Sequence, residues 1–174
     1  LLPGSKFHWD IHYSQAGEEI TSKVEMGIYF YPKGQEPKFR DTLSLVPAAL
    51  GTLDIRPNTQ SVVEGFTTLR QAARIDSMQA HMHLRGKDMK FEAVRPDGSR
   101  ETLFSVPKYD FNWQNEYKLR RPVSIAKGTR IVITAHFDNS ANNPANPDPA
   151  KTIRWGEPSY EEMMDGWIEF ILPD

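Results

Sequence analysis

The chain contains no cysteine, which excludes disulfides, thiolate metal sites and cysteine nucleophiles. Any metal it binds must therefore be held by histidine, methionine or oxygen. The same absence leaves the compartment open, because disulfide-free proteins occur on both sides of a membrane. No apolar run approaches the roughly 18 residues of a membrane-spanning helix, and no basic-then-apolar leader is present, so neither a transmembrane segment nor a signal peptide is expected. The first residue is leucine rather than methionine, as removal of a leader, or excision from a longer polypeptide or complex, would leave it. An excess of one charge is also missing. The 21 basic and 23 acidic residues are interspersed, with a net charge of −2, and without a basic face nucleic acid is not an expected partner. Helical periodicity is absent too, apart from at most one turn over 159–164.

What remains is alternation. A chain of 174 residues is long enough to bury about 70 % of its unfolded surface in one domain, and no internal repeat or boundary divides it. Phe7, Trp9, Ile11 and Tyr13 alternate with His8, Asp10 and His12, which predicts a strand with one buried face. Val24, Met26, Ile28 and Phe30 repeat the pattern, and the two runs are expected to form an antiparallel pair. Short strands are expected over 43–46 and 53–57, while 61–69 reads as strand or loop. A long extended segment covers 72–84. The run 90–95, the turn Pro96-Asp97-Gly98-Ser99 and the run 101–106 predict a hairpin. The aromatic stretch 109–114 is irregular, with short strands at 117–119 and 123–125. Ile131, Ile133, Ala135 and Phe137 alternate after the turn at Lys127-Gly128. The stretch 139–149, rich in asparagine and proline, reads as a surface loop, and 167–172 as an apolar strand. Roughly ten short strands with 13 prolines and 11 glycines predict an all-β sandwich or jelly roll.

A sandwich says nothing about chemistry, so function has to be sought in particular side chains. There are five histidines: His8, His12, His81, His83 and His136. On a strand, His81 and His83 point the same way about 7 Å apart, while Ala80, Met82 and Leu84 point the other. Two imidazoles on one face are half of a copper or zinc site, since neutral imidazole suits both ions. They are equally compatible with a wet sheet face until a third ligand is found. His136 reads as an ordinary sheet-face histidine.

Ala80-His81-Met82-His83-Leu84-Arg85-Gly86-Lys87, followed far downstream by Ser159-Tyr160-Glu161-Glu162-Met163, resembles the second, C-terminal domain of the copper type II, ascorbate-dependent monooxygenases. That group includes peptidylglycine α-hydroxylating monooxygenase and dopamine β-monooxygenase. The resemblance implies a single copper ion held by His81, His83 and Met163, at which dioxygen reacts with a small substrate. Met164 is the competing thioether, and alternation on a strand lets only one of the two face the metal. A soft sulfur beside two imidazoles favours Cu(I), and three protein ligands leave a position open.

The likeness extends to the start of the chain. Residues 6–14, with Ile11-His12-Tyr13, look like the closing strand of the family's first domain, which makes His12 a candidate remnant of its electron-donating copper site. That second site also needs two adjacent histidines, and no two are neighbours here. It cannot be completed from this chain, so a partner domain or electron donor is implied.

Departures concern the substrate. Where the peptide-processing members carry an Arg, an Asn and a Tyr that hold a substrate carboxylate, this chain has Gln79, Asp165 and Trp167. Losing a bidentate guanidinium and gaining a carboxylate makes a C-terminal peptide an unexpected substrate. The lack of cysteine departs from the disulfide-bonded animal enzymes and points to a bacterial-type relative, periplasmic or extracellular by analogy. Three readings follow: an oxygen-activating copper domain, a non-catalytic copper-binding module, and a metal-free structural or interaction domain of a larger complex. In the third, Tyr109 to Trp113 would be a docking surface if those rings were exposed rather than packed.

Overall fold

The computed structural model describes residues 3–9, 11–13, 16–39, 41–47 and 51–172. By contacts the chain forms two compact units, Leu1–Glu36 and Pro37–Asp174.

The first unit contains no strand among its described residues. Phe7, Trp9, Ile11 and Tyr13 are exposed, as are Val24, Met26, Ile28 and Phe30. The expected antiparallel strand pair is therefore corrected: these are irregular segments, with a side-chain hydrogen bond from Ser22 Oγ to Tyr13 Oη at 3.3 Å. Alternation supplies an apolar face, but a strand also needs a ladder partner and a layer to pack against, and neither is found among the described residues of this unit.

The second unit is an all-β sandwich with no helix among its described residues. Its strands are β1 (Asp41–Pro47), β2 (Asp54–Ile55), β3 (Gln60–Thr68), β4 (Ala73–Met82), β5 (Gly86–Val94), β6 (Arg100–Val106), β7 (Tyr117–Ile125), β8 (Arg130–Asp138), β9 (Ile153–Arg154) and β10 (Met164–Ile171). One four-stranded sheet has the order β1-β10-β4-β7, the other β3-β8-β5-β6, and β2 pairs with β9. All these pairings are antiparallel. The stretch 61–69, open between strand and loop, is most of β3. The two short strands expected at 117–119 and 123–125 are one strand, β7, whose register against β4 shifts between Ile75 and Ser77.

The core lies between the sheets. Met78, Ala80 and Met82 of β4 meet Phe91 of β5 and Ile131, Ile133, Ala135 and Phe137 of β8, all buried, as alternation on β8 requires. Gly166 of β10 lies at the tightest point. A Cβ there would sit 1.9 Å from Ile133 Cδ1 and 2.8 Å from Phe91 Cε1, so only a glycine lets the facing sheet approach this closely. The hairpin turn at 96–99 has Gly98 at φ +85°, with Ser99 N donating to Asp97 Oδ1 at 2.9 Å. The asparagine-rich loop is not wholly a surface feature. Asn139 and Asn143 are buried because their side chains hold backbone groups: Asn139 Nδ2 donates to Arg56 O and Lys151 O, and Asn143 Nδ2 to Leu84 O and Asp138 O. No helical turn forms over 159–164: Ser159 to Glu161 are turn and bend, Glu162 bridges to Trp155, and Met164 opens β10.

Candidate metal centre

The site lies on the outer face of the β1-β10-β4-β7 sheet, where β4 ends and β10 begins. Antiparallel pairing sets Met82 opposite Met164, His81 opposite Asp165, Ala80 opposite Gly166 and Gln79 opposite Trp167. Met82, Ala80, Met164 and Gly166 are buried against the core. Alternation then turns Gln79, His81, Asp165 and Trp167 to the outer face. His83 and Met163 are the next residues beyond the last pair on the two strands, so they share that end of the sheet. Met164 is 1 % exposed within the core, whereas Met163 is half-buried.

The two imidazoles converge, with ring centroids 5.3 Å apart and planes nearly perpendicular. Each is oriented through Nδ1. His81 Nδ1 meets Gln114 Oε1 at 2.5 Å, and because Gln114 Nε2 donates to Phe111 O at 2.7 Å, the amide oxygen is the atom turned to the histidine. His83 Nδ1 meets the Glu161 carbonyl at 3.3 Å. A carbonyl or amide oxygen only accepts, so each ring donates from Nδ1. Fixing the tautomer from behind is how proteins present Nε2 to a metal.

Backbone clamps hold this end of β4. The Glu162 carboxylate accepts the N–H of His83 at 2.8 Å and of Arg85 at 2.6 Å. The Tyr109 hydroxyl donates to Met82 O and accepts from Met82 N at 3.0 Å. The 83–86 turn closes with Gly86 N donating to His83 O at 3.3 Å, and a Cβ on Gly86 would lie 2.7 Å from Met82 Cβ. Burial pushes the Glu162 carboxyl up to about 7, against the opposing pull of the Arg85 and His83 N–H groups and the Arg85 charge. The Arg85 guanidinium is itself buried, and burial lowers its pKa. Its Nε donates to Asn139 Oδ1 at 2.8 Å and one terminal nitrogen to Tyr160 O at 2.9 Å. Burial also raises the Tyr109 phenol and the Asp165 carboxyl above their ordinary values, the latter opposed by His81.

Among the described residues no three side chains of His, Cys, Asp and Glu gather as a metal site. A third donor to the His81–His83 pair would have to be of another kind, and the nearby soft candidate is the Met163 thioether. Gln79 donates from Nε2 to Gln114 O at 3.2 Å, which ties it to the loop orienting His81. His12 belongs to the first unit, where it is exposed. His136 lies on the outer face of the other sheet, with Nδ1 2.6 Å from Asp88 Oδ1. Of the irregular aromatic stretch, Tyr109 and Phe111 are half-buried and Trp113 is exposed. The Phe111 ring stands edge-on to His83 at 6.0 Å. Gln114 and Tyr109 escaped sequence reasoning because nothing in their spacing from the His pair marks them. The polar Gln114 closing a stretch of three aromatics was the available sign.

The family model for the copper type II ascorbate-dependent monooxygenase, C-terminal domain, matches residues 52–170. No curated protein matches. Among solved structures, the VP2 subviral particle of infectious bursal disease virus is 10 % identical with a TM-score of 0.32; the match covers 82 % of this chain and 37 % of that one. Dimeric latent PorU from Porphyromonas gingivalis is 12 % identical with a TM-score of 0.26, covering 80 % of this chain and 13 % of that one. Both are similarities too slight to bear on fold or function.

Proposed function

Since the chain belongs to the family of copper type II ascorbate-dependent monooxygenase C-terminal domains, we propose that it is the oxygen-activating copper domain of such a protein, with His81, His83 and Met163 as the ligands of one copper ion. The observation that carries this reading is the pair of imidazoles 5.3 Å apart, each turned by a bond at Nδ1, within the matched stretch. Copper, when bound, supplies one-electron redox chemistry and an open position for dioxygen. The chain's own residues orient the donors. Gln114 and the Glu161 carbonyl set the two rings, Glu162 fixes the backbone of His83, and the half-buried Met163 offers the soft donor that suits the reduced ion. Gln79, Asp165 and Trp167 share the outer face with His81 and are the candidates for contact with a small substrate. His12 is the candidate remnant of an electron-donating site, and a partner domain or separate reductant would have to complete it. A periplasmic or extracellular location follows the family. No helix among the described residues is long and apolar enough to cross a membrane.

The test is copper stoichiometry and Cu(I) affinity, measured by competition with a chromogenic chelator, followed by oxygen uptake with ascorbate. Wild type should bind one copper, and the His81→Ala, His83→Ala double variant none. Oxygen consumption above that of free copper marks the enzyme. Binding without consumption leaves the second reading, a non-catalytic copper module; no copper binding by wild type leaves a metal-free structural domain, and equal binding by both proteins overturns His81 and His83 as ligands.

A further inference from the structure

A cleft of about 530 Å³ opens beside His83, lined among others by Lys87, Lys108, Phe111, Trp113 and Tyr117. Its size suits a small organic ligand. One wall is rigid and aromatic: Tyr117 packs on Phe104 at 5.2 Å and Phe104 on the core ring Phe91 at 5.4 Å. The other wall is the 109–114 loop. Although irregular, it is tied down at many points. Tyr109 N donates to Lys87 O, Trp113 N to Asp110 O, Asn112 N to Asp110 Oδ1 and Gln114 Nε2 to Phe111 O, all at 2.7 to 2.9 Å. On this anchored loop Trp113 is 66 % exposed. A large indole held out to solvent on a fixed backbone is a stacking platform without its partner.

The polar lining is selective in sign. Lys87 and Lys108 face one acid, Asp110, whose carboxylate already accepts from Asn112. The Asn143 amide is used on Leu84 O and Asp138 O, and the Tyr109 hydroxyl on Met82. Of the charged side chains that line the cleft, two are ammonium groups, which are donors only, and one is a carboxylate.

We propose that this cleft binds a small aromatic anion, its ring against Trp113 and Phe111 and its carboxylate between Lys87 and Lys108. The cleft borders His83, so the ligand would be the substrate of the proposed copper site; that role rests on the copper reading, whereas the binding does not.

The test is calorimetric titration of the full, metal-free chain with phenylacetate and with 2-phenylethylamine, which has the same ring and the opposite charge. Phenylacetate should bind at least about tenfold more tightly than the amine. The Lys87→Ala, Lys108→Ala double variant should abolish that preference, and Trp113→Ala should weaken phenylacetate about tenfold. Absence of phenylacetate binding, equal binding of the amine, or indifference to Trp113→Ala in protein shown to be folded by circular dichroism overturns the proposal. Copper binding without phenylacetate binding rejects the cleft alone, and the reverse rejects the copper site alone.

Discussion

The carboxylate of Glu162 accepts the backbone N–H of His83 at 2.8 Å. One residue of the segment leading into β10 thereby holds the end of β4, and with it the second imidazole, while its chain neighbour is Met163. Replacing Glu162 with alanine leaves the buried N–H groups of His83 and Arg85 without their acceptor and removes one of the acidic charges acting on the Arg85 guanidinium. The expected loss is about 3 kcal/mol of stability, read by urea unfolding. Copper affinity should fall with it. An alanine variant as stable as wild type would show that the clamp is dispensable.

Met163 and Met164 should separate cleanly. Met164 is buried in the core, so Met164→Ala is expected to cost about 2 to 4 kcal/mol and to spare Cu(I) affinity. Met163→Ala should do the opposite, weakening Cu(I) with a stability change within about 1 kcal/mol. Chelator competition and urea unfolding on both variants decide it, and exchanged outcomes would reassign the thioether.

Gln114 is a positioning residue for His81. In Gln114→Ala the ring loses its orienting acceptor, and copper affinity should drop about 10- to 100-fold. Gln114→Glu keeps an acceptor oxygen at that place and should recover most of the affinity. A purely structural role predicts no such recovery, because the glutamate also lacks the N–H that reaches Phe111 O.

Gly166→Ala forces a methyl onto Ile133 and Phe91. Overpacking of this kind costs about 1 to 3 kcal/mol. Adding Ile133→Val, which removes the clashing Cδ1, should return part of it. A double variant no better than the single would place the strain at the Phe91 ring.

Asp138 gives the acid dependence. Burial would raise its carboxyl, but hydrogen bonds from Ser140 and Gln60 outweigh this and hold it below the usual range. A depressed folded value means that the stabilisation is present above the unfolded pKa of about 4 and is lost as pH falls through the folded value. The stability gap between wild type and Asp138→Asn should therefore narrow as pH is lowered from 6 towards 2. A gap that widens in acid would contradict the sign.

Much of the second unit was legible in local pattern. The alternation Ile131, Ile133, Ala135 and Phe137 became the buried face of β8, and the turn Pro96-Asp97-Gly98-Ser99 joins β5 to β6. The same alternation in the first unit, at Phe7 to Tyr13, produced no strand among the described residues, because an apolar face becomes a strand only where another strand and a covering layer exist. The buried asparagines at 139 and 143 were unreadable for a related reason: whether a polar loop residue is buried depends on which backbone groups the fold brings to it.

By itself the sequence determined which donor types are open to a metal, since with no cysteine only histidine, methionine and oxygen remain, and it predicted that His81 and His83 share a face, since period-two alternation is a property of the extended backbone. Only the tertiary structure decided that Met164 belongs to the core, that Gln114 and Glu161 turn the two rings, and that Glu162 clamps His83. Those relations join residues far apart in the chain. They are set by strand register and loop closure, which no local spacing encodes.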